Sequence, residues 1–300
     1  MEWIAGPEDE GRRLDRFVEL RVLTLSRMRL RLEIDRGAAR VNGAVRPAGW
    51  RLRAGDQVVL DAAPSRVTAM TPEPLPLRIL YEDADLVVVE KAAGMVVHPA
   101  GRHRGGTLAN ALAHHFNVAG AAEPPVRPGI VHRLDRATSG LMVVAKAQAA
   151  LSALTVRFQN REVEKEYVGL VHGAVAAGEG EWDAPIGADP EATPLWGIRP
   201  GGRPARSRYR VRERLPEHTL LELEPLTGRT NQLRLHAAHF GHPLVGDALF
   251  GRPADPGPGR LFLHAHLLRF EHPCGRRLEF RSHLPAELEE YLGRLRAGGG

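Results

Sequence analysis

Between residues 129 and 146 the chain reads Gly-Ile-Val-His-Arg-Leu-Asp-Arg-Ala-Thr-Ser-Gly-Leu-Met-Val-Val-Ala-Lys. A knot of polar side chains is followed at once by a wholly apolar run, 141–145, which reads as a buried strand. Further strands are expected at 86–89, 167–171, 219–226 and 278–281, and helices at 147–159, 230–240 and 285–295. The gaps between the strands are long and uneven. Regular βαβ repeats are therefore disfavoured, and a mixed, largely antiparallel α+β sheet is expected from 78 to 297. Polar residues at the mouth of such a strand form a site on a rigid scaffold.

The amino-terminal part has a different character. Leu14, Phe17, Val18 and Val22 recur at helical spacing, and Ser26 is placed to cap a second helix running to about Asp35. Arg27 and Arg31 form a basic stripe on that helix, Leu30 and Ile34 an apolar pair, and Gly37 stops it. Val41-Asn42-Gly43 reads as a strand entering a tight turn. Val45, Leu52 and the run 55–60 supply further short strands. Residues 11–53 hold 12 arginines against four acids, whereas the rest of the chain has 29 basic and 32 acidic residues. A basic module of residues 1–61 on a near-neutral body is the asymmetry expected of a nucleic-acid reader. Pro64, Pro72, Pro74 and Pro76 mark 62–77 as a linker.

Several chemistries lose their usual support. The sequence contains no G-x-G-x-x-G, no G-x-x-x-x-G-K-[ST], no H-E-x-x-H and no G-x-S-x-G. Cys274 is the single cysteine, which excludes an intramolecular disulfide and a Cys-based zinc site. His236, His239 and His242, with His264, His266 and Asp247, could in principle gather a metal. However, two residues six apart diverge by about 120° on a helix, and Gly241 and Pro243 end the helix first. The start of the chain lacks the pattern of a signal peptide, and no apolar run approaches the roughly 18 residues of a membrane span. The chain is expected to be soluble and cytoplasmic, with no metal; its oligomeric state is not legible.

The polar knot holds His132, Arg133, Asp135, Arg136, Thr138 and Ser139. Asp135 could serve as nucleophile or as acid/base, with an arginine favouring its ionised form. A structural salt bridge with a capped turn explains the same residues.

The pattern H-R-L-D-x-x-T-S-G-L-x-x-x-A-K at 132–146 resembles the catalytic motif of the RluA family of pseudouridine synthases. The segment 228–251, which begins G-R-T-N-Q-L-R-L-H, resembles the second long motif of that family. Residues 165–173 resemble its tyrosine-bearing strand, and 86–98 its opening strand and loop. The order of elements in 11–61 resembles the small RNA-binding module first described in small-subunit ribosomal protein S-four, which this family often carries.

The resemblance implies an isomerase that converts uridine within RNA to pseudouridine without redox cofactor, nucleotide or metal. It makes Asp135 the essential carboxylate, attacking sugar or base or abstracting a ribose proton. Arg234 corresponds to the arginine paired with that carboxylate. Tyr167 corresponds to the ring packed on the target base, Arg133 faces the RNA, and Arg229 is a phosphate contact or a surface salt bridge. Ribosomal RNA of the large subunit is the expected substrate, with transfer RNA as the alternative. Two departures stand out. Asn231 replaces the histidine of G-R-T-H-Q, and Ala92 replaces the proline that follows the lysine. A catalytically silent RNA-binding protein and a metal-dependent hydrolase are the competing classes. The first would be free to lose Asp135 or Arg234, and both are present.

Overall fold

The computed structural model describes residues 1–22, 27–61, 71–99, 105–118, 128–188, 196–252, 255 and 257–298. The expected Ser26 cap, the Arg27 side chain of the basic stripe and Pro64 lie outside what it describes.

Residues 1–61 fold around their own apolar cluster. In chain order they form β1 (Glu2–Ile4), α1 (Leu14–Glu19), α2 (Arg27–Asp35), β2 (Ala39–Val41), β3 (Ala44–Val45) and β4 (Gln57–Leu60). The strands make one sheet in the order β1-β4-β2-β3. Leu14, Phe17, Val18, Val22, Leu30 and Ile34 are all buried against Val41, Val58 and Leu60, so the helical spacing in the sequence marks the core face. Asn42 and Gly43 both take positive φ, the conformation a two-residue hairpin turn between β2 and β3 requires. One expectation is corrected. Leu52 is buried but belongs to no strand; only its neighbour Arg51 makes an isolated bridge, to Arg13. The first strand, β1, has three residues, too few to show a period, and exists by pairing with β4.

The remainder is built on a large sheet. Its elements are β5 (Arg78–Glu82), β6 (Leu86–Lys91), α3 (Leu108–Val118), β7 (Gly129–Ile130), β8 (Ser139–Ala145), α4 (Gln148–Asn160), β9 (Glu164–His172) and β10 (Glu179–Asp183). These are followed by β11 (Ile186–Ala188), β12 (Trp196–Ile198), β13 (Arg206–Arg214), β14 (His218–Pro225), α5 (Gln232–His239), β15 (Leu263–Glu271), β16 (Arg277–Arg281) and α6 (Ala286–Arg296). The main sheet runs β10-β13-β14-β9-β15-β8-β6-β5, with β7 and β16 attached to β8 and β15. Every pairing in it is antiparallel except β8 with β15. The fold is the expected mixed, largely antiparallel α+β class. The segment 174–204, rich in glycine and proline, contains β10, β11 and β12.

β8 is the centre of this construction. All seven of its residues are buried, because apolar clusters cover both faces. Gly140 sits where β8 meets β15 at φ +124°, and a Cβ there would collide with the backbone of Ala265. Only glycine permits that approach. The polar segment before β8 is thereby held against a strand buried along its whole length.

Candidate active site

Asp135 lies in the loop that feeds β8, closed by a turn in which the Thr138 amide donates to the Asp135 carbonyl at 3.1 Å. This loop opens onto a cleft of about 1280 Å³ lined by Arg133, Asp135, Lys165, Tyr167 and Arg229. Residues Arg12, Arg16, Glu19 and Leu20, in and around α1, line the same cleft, and the Ser152 hydroxyl of α4 donates to the Leu20 carbonyl at 2.8 Å. Eight arginines and lysines line it against four carboxylates. Walls of one predominant sign in a concave site attract a polyanion.

Burial pushes the Asp135 carboxyl above the ordinary aspartate range. Arg234, Arg133, the Asn231 amide and Lys91 oppose that rise by favouring the ionised form. Arg234 does this from a distance, and here the expected pairing is corrected. Its guanidinium grips Asp247 with two parallel bonds, Nε to Oδ2 at 2.8 Å and Nη2 to Oδ1 at 2.5 Å. Asp135 makes no direct ion pair among the described residues. Fork geometry decides the matter: Asp247 offers both oxygens to the planar donor and is itself fixed by the amides of Leu249 and Phe250. Arg234 is buried behind the cleft rather than lining it.

Asn231 sits between Asp135 and Arg234. It caps α5 in the left-handed conformation at φ 55°, its backbone amide favours the ionised Asp135 carboxylate, and its Oδ1 accepts from Arg234 Nη1 at 3.2 Å. Asparagine tolerates this backbone conformation better than most residues. The asparagine side chain thus supplies the contact to Arg234, whereas the amide toward Asp135 is one that any residue but proline offers.

Tyr167, on β9, is buried at the cleft wall, and burial together with the Asp135 charge pushes its hydroxyl up. The phenol is therefore held neutral, an apolar ring with a proton to give or share. Arg133 is exposed at the cleft. Arg229 donates Nε to the Pro204 carbonyl at 3.1 Å, while burial, with the like charges of Arg203 and Arg161 crowding it, lowers its pKa. Three guanidinium groups in mutual repulsion are relieved by an anion between them.

Lys91 is the residue that sequence reasoning missed. Fully buried, it donates to the carbonyls of Ala92 at 2.8 Å, Met95 at 2.9 Å and Arg136 at 3.4 Å. Burial and the Arg260 charge bring its pKa down to about 7, with Asp135 pulling the other way. It ties the loop after β6 to the Asp135 loop, and paired bonds between Gly94 and Arg136 reinforce the junction. Lysine at the end of an apolar run, in a chain with only three lysines, was the available signal.

The histidines are occupied elsewhere. His132 stacks on Phe158 and accepts the Val143 amide at 3.1 Å, with burial bringing its pKa down to about 3. His264 accepts from Ser139 and donates to Ser282, and Ser282 in turn donates to Glu90. His236 bonds Ser207 and the Ala184 carbonyl, while His242 bonds the His172 carbonyl. These separate engagements leave no shared ligand set among His236, His239 and His242, whose members have different partners or surroundings.

The RNA pseudouridylate synthase family matches this chain over residues 85–239. Among curated proteins, the uncharacterized RNA pseudouridine synthase YlyB of Bacillus subtilis is 36% identical over 296 residues, covering 98% of each chain. Ribosomal large subunit pseudouridine synthase D of Escherichia coli is 37% identical over 307 residues, covering 96% of this chain and 91% of its own. Among solved structures, human RNA pseudouridylate synthase domain containing 1 superposes with a TM-score of 0.59 at 27% identity, covering 74% of this chain and 95% of its own. Similarity of this extent, falling on the segments that build the cleft, places the chain in the RluA family of RNA pseudouridine synthases.

Proposed function

We propose that this RNA pseudouridine synthase modifies uridines of large-subunit ribosomal RNA, in the cytoplasm, with Asp135 as its essential carboxylate. The reading is carried by the position of Asp135: a partly buried carboxylate beside a buried phenol, at the floor of a cleft whose walls are cationic. The reaction breaks the bond from ribose carbon 1 to uracil nitrogen 1 and makes one to carbon 5. The carbon 5 proton is released and nitrogen 1 is left protonated. Ribose–base cleavage is an isomerisation step with no net redox change. Asp135 acts on the sugar, on the base or on a ribose proton; all three roles require an ionised carboxylate.

A uridine inside a helix cannot reach this floor, so it is flipped out at a cost of a few kcal/mol. Tyr167 packs on the extruded base and keeps its hydroxyl for proton transfer at carbon 5. Arg133 stands at the cleft rim to fill the vacated stack, and Arg229, with Arg161 and Arg203, holds backbone phosphate. Residues 1–61 add affinity through phosphate contacts. The ribosomal assignment draws on relatives named ribosomal large subunit pseudouridine synthase D that align over nearly the whole chain.

Mapping pseudouridine in total RNA, with and without the protein, tests the substrate. Sites in large-subunit ribosomal RNA that appear only with the protein are expected. Sites confined to transfer RNA would overturn the ribosomal assignment. Release of tritium from RNA labelled at uracil carbon 5 separates the synthase from a silent RNA binder and from a hydrolase.

A further inference from the structure

On the face of the sheet opposite Tyr167, three ligating side chains converge from three adjacent strands. Glu166 comes from β9, Glu222 from β14 and His266 from β15, and their ligand atoms all lie within 4.8 Å of one another. The carboxyl groups of Glu166 and Glu222 face each other across the paired strands β9 and β14. Carboxylates this close on neighbouring strands repel each other unless something positive sits between them.

His266 is there because the strand is irregular. The register of β15 on β9 passes from Ala265 opposite Tyr167 to Leu267 opposite Glu166, so His266 is the extra residue of a bulge. A bulge re-aims a side chain that regular alternation would send elsewhere. The imidazole is about nine-tenths buried, at 8% side-chain exposure, yet its Nε2 makes no hydrogen bond; the nearest acceptor, Glu166 Oε2, is 3.6 Å away. A buried ring nitrogen without a partner is uncommon and costs stability. The surrounding cations do not resolve it. Arg212 and Arg210 stand 3.6 and 3.7 Å from Glu222, Arg269 stands 4.0 Å from Glu166, and Arg269 is engaged by Glu279 and Glu164 at 2.7 and 3.0 Å. Arg281 adds charge near His266 but makes its own bond to Glu279. Arg210 and Arg212 are 66% and 41% exposed, free to swing into water.

We propose that Glu166, Glu222 and His266 form a binding site for a borderline divalent cation of the zinc class. One nitrogen and two carboxylate oxygens match the donor set such ions take, with water completing the shell. Ligand bonds of about 2.0–2.2 Å bring the donor atoms to roughly 3.3 Å apart, a closure that rotation of the glutamates supplies. The ion offsets the repulsion between the two carboxylates and clamps three strands behind Tyr167. It takes no part in the isomerisation.

The test uses the full chain without an affinity tag. Zinc is titrated against a chromophoric chelator, and cobalt absorption in the visible reports nitrogen and oxygen coordination. One ion per chain is expected, with affinity falling at least ~10-fold in His266→Asn and in the double variant Glu166→Gln/Glu222→Gln. The second cluster, of Asp83, Asp85 and His272 beside Cys274, is controlled by His272→Asn, which should leave that ion in place. The proposal is overturned if the unaltered protein binds no ion. It is equally overturned if either folded ligand variant binds as tightly, or if His272→Asn alone removes the ion. Should one ligand variant fail to fold, the other decides.

Discussion

Arginine dominates both the amino-terminal module and the cleft, but the exposed pairs on the helix surfaces of the first and the buried pair behind the second have different surroundings. In the module Arg16 pairs with Glu19 and Arg31 with Asp35 along helix surfaces, with about half or more of each guanidinium in water. Behind the cleft, Arg234 and Asp247 are 5% and 4% exposed. Water screens the first pairs, so each contributes a fraction of a kcal/mol and yields readily to an RNA phosphate. It screens the second hardly at all. Removing one buried partner strands the other, and the whole desolvation penalty appears. A count of arginines therefore says little; the medium around each decides whether it binds RNA or holds the floor of the site.

The largest effect separating the two regions is expected from Arg234→Ala. Leaving Asp247 buried and unpaired should cost about 3–5 kcal/mol of unfolding free energy, read by denaturant titration. A loss below about 1 kcal/mol would place Arg234 in the screened class and break the comparison. Next comes deletion of residues 1–61. RNA affinity should fall, and its salt dependence should flatten by nearly one unit of slope for each phosphate no longer neutralised, while the remainder stays folded. Unchanged affinity and slope would refute a binding role for the module.

The smallest effect concerns pH. The Asp135 carboxyl is raised, mainly by burial. Its ionised fraction, and with it single-turnover rate, should therefore fall at a higher pH than for an aspartate in water. The accompanying stability has the opposite sign: burying the charge costs free energy above the raised pKa, and that cost is relieved as pH falls through it. Arg133→Gln removes one of the charges holding the carboxyl down, so the acid limb should move further up. A limb that stays in place, measured with RNA saturating, would show that Arg133 does not act on Asp135.

Much of this arrangement was legible from residue spacing and from family likeness. The apolar run of β8, and α2, α4, α5 and α6, lie within one or two residues of their expected positions, whereas α1 ends at Glu19, three residues before Val22. Long periodic segments carry their own signal. β13 did not, although Ser207, Tyr209 and Val211 alternate with charged residues, because its arginines find their partners on β10 and β14. Such a strand is specified by its neighbours. β15 is buried without alternation over its first six residues, and its bulge at His266 cannot be read from a pattern.

The site divides along the same line. Asp135, Tyr167, Arg133 and Arg229 meet in one cleft. Arg234 does not reach it, because Asp247, 13 positions further along the chain, presents the better fork. No spacing rule distinguishes two carboxylates competing for one guanidinium; that requires the fold. Lys91 was hidden for a related reason, since its partners are carbonyl groups, which every residue has.

The central claim is that the Asp135 charge is kept in the cleft for chemistry at a cost in stability. Asp135→Asn preserves the shape and removes the charge. Single-turnover pseudouridine formation, RNA affinity and melting temperature are measured on one preparation, with reversion to aspartate excluded by mass spectrometry. The account predicts product at background, RNA affinity unchanged or slightly higher, and a melting temperature equal to or above that of the unaltered protein. Appreciable turnover by correctly folded Asp135→Asn, together with a lowered melting temperature, would make Asp135 a structural carboxylate and contradict it.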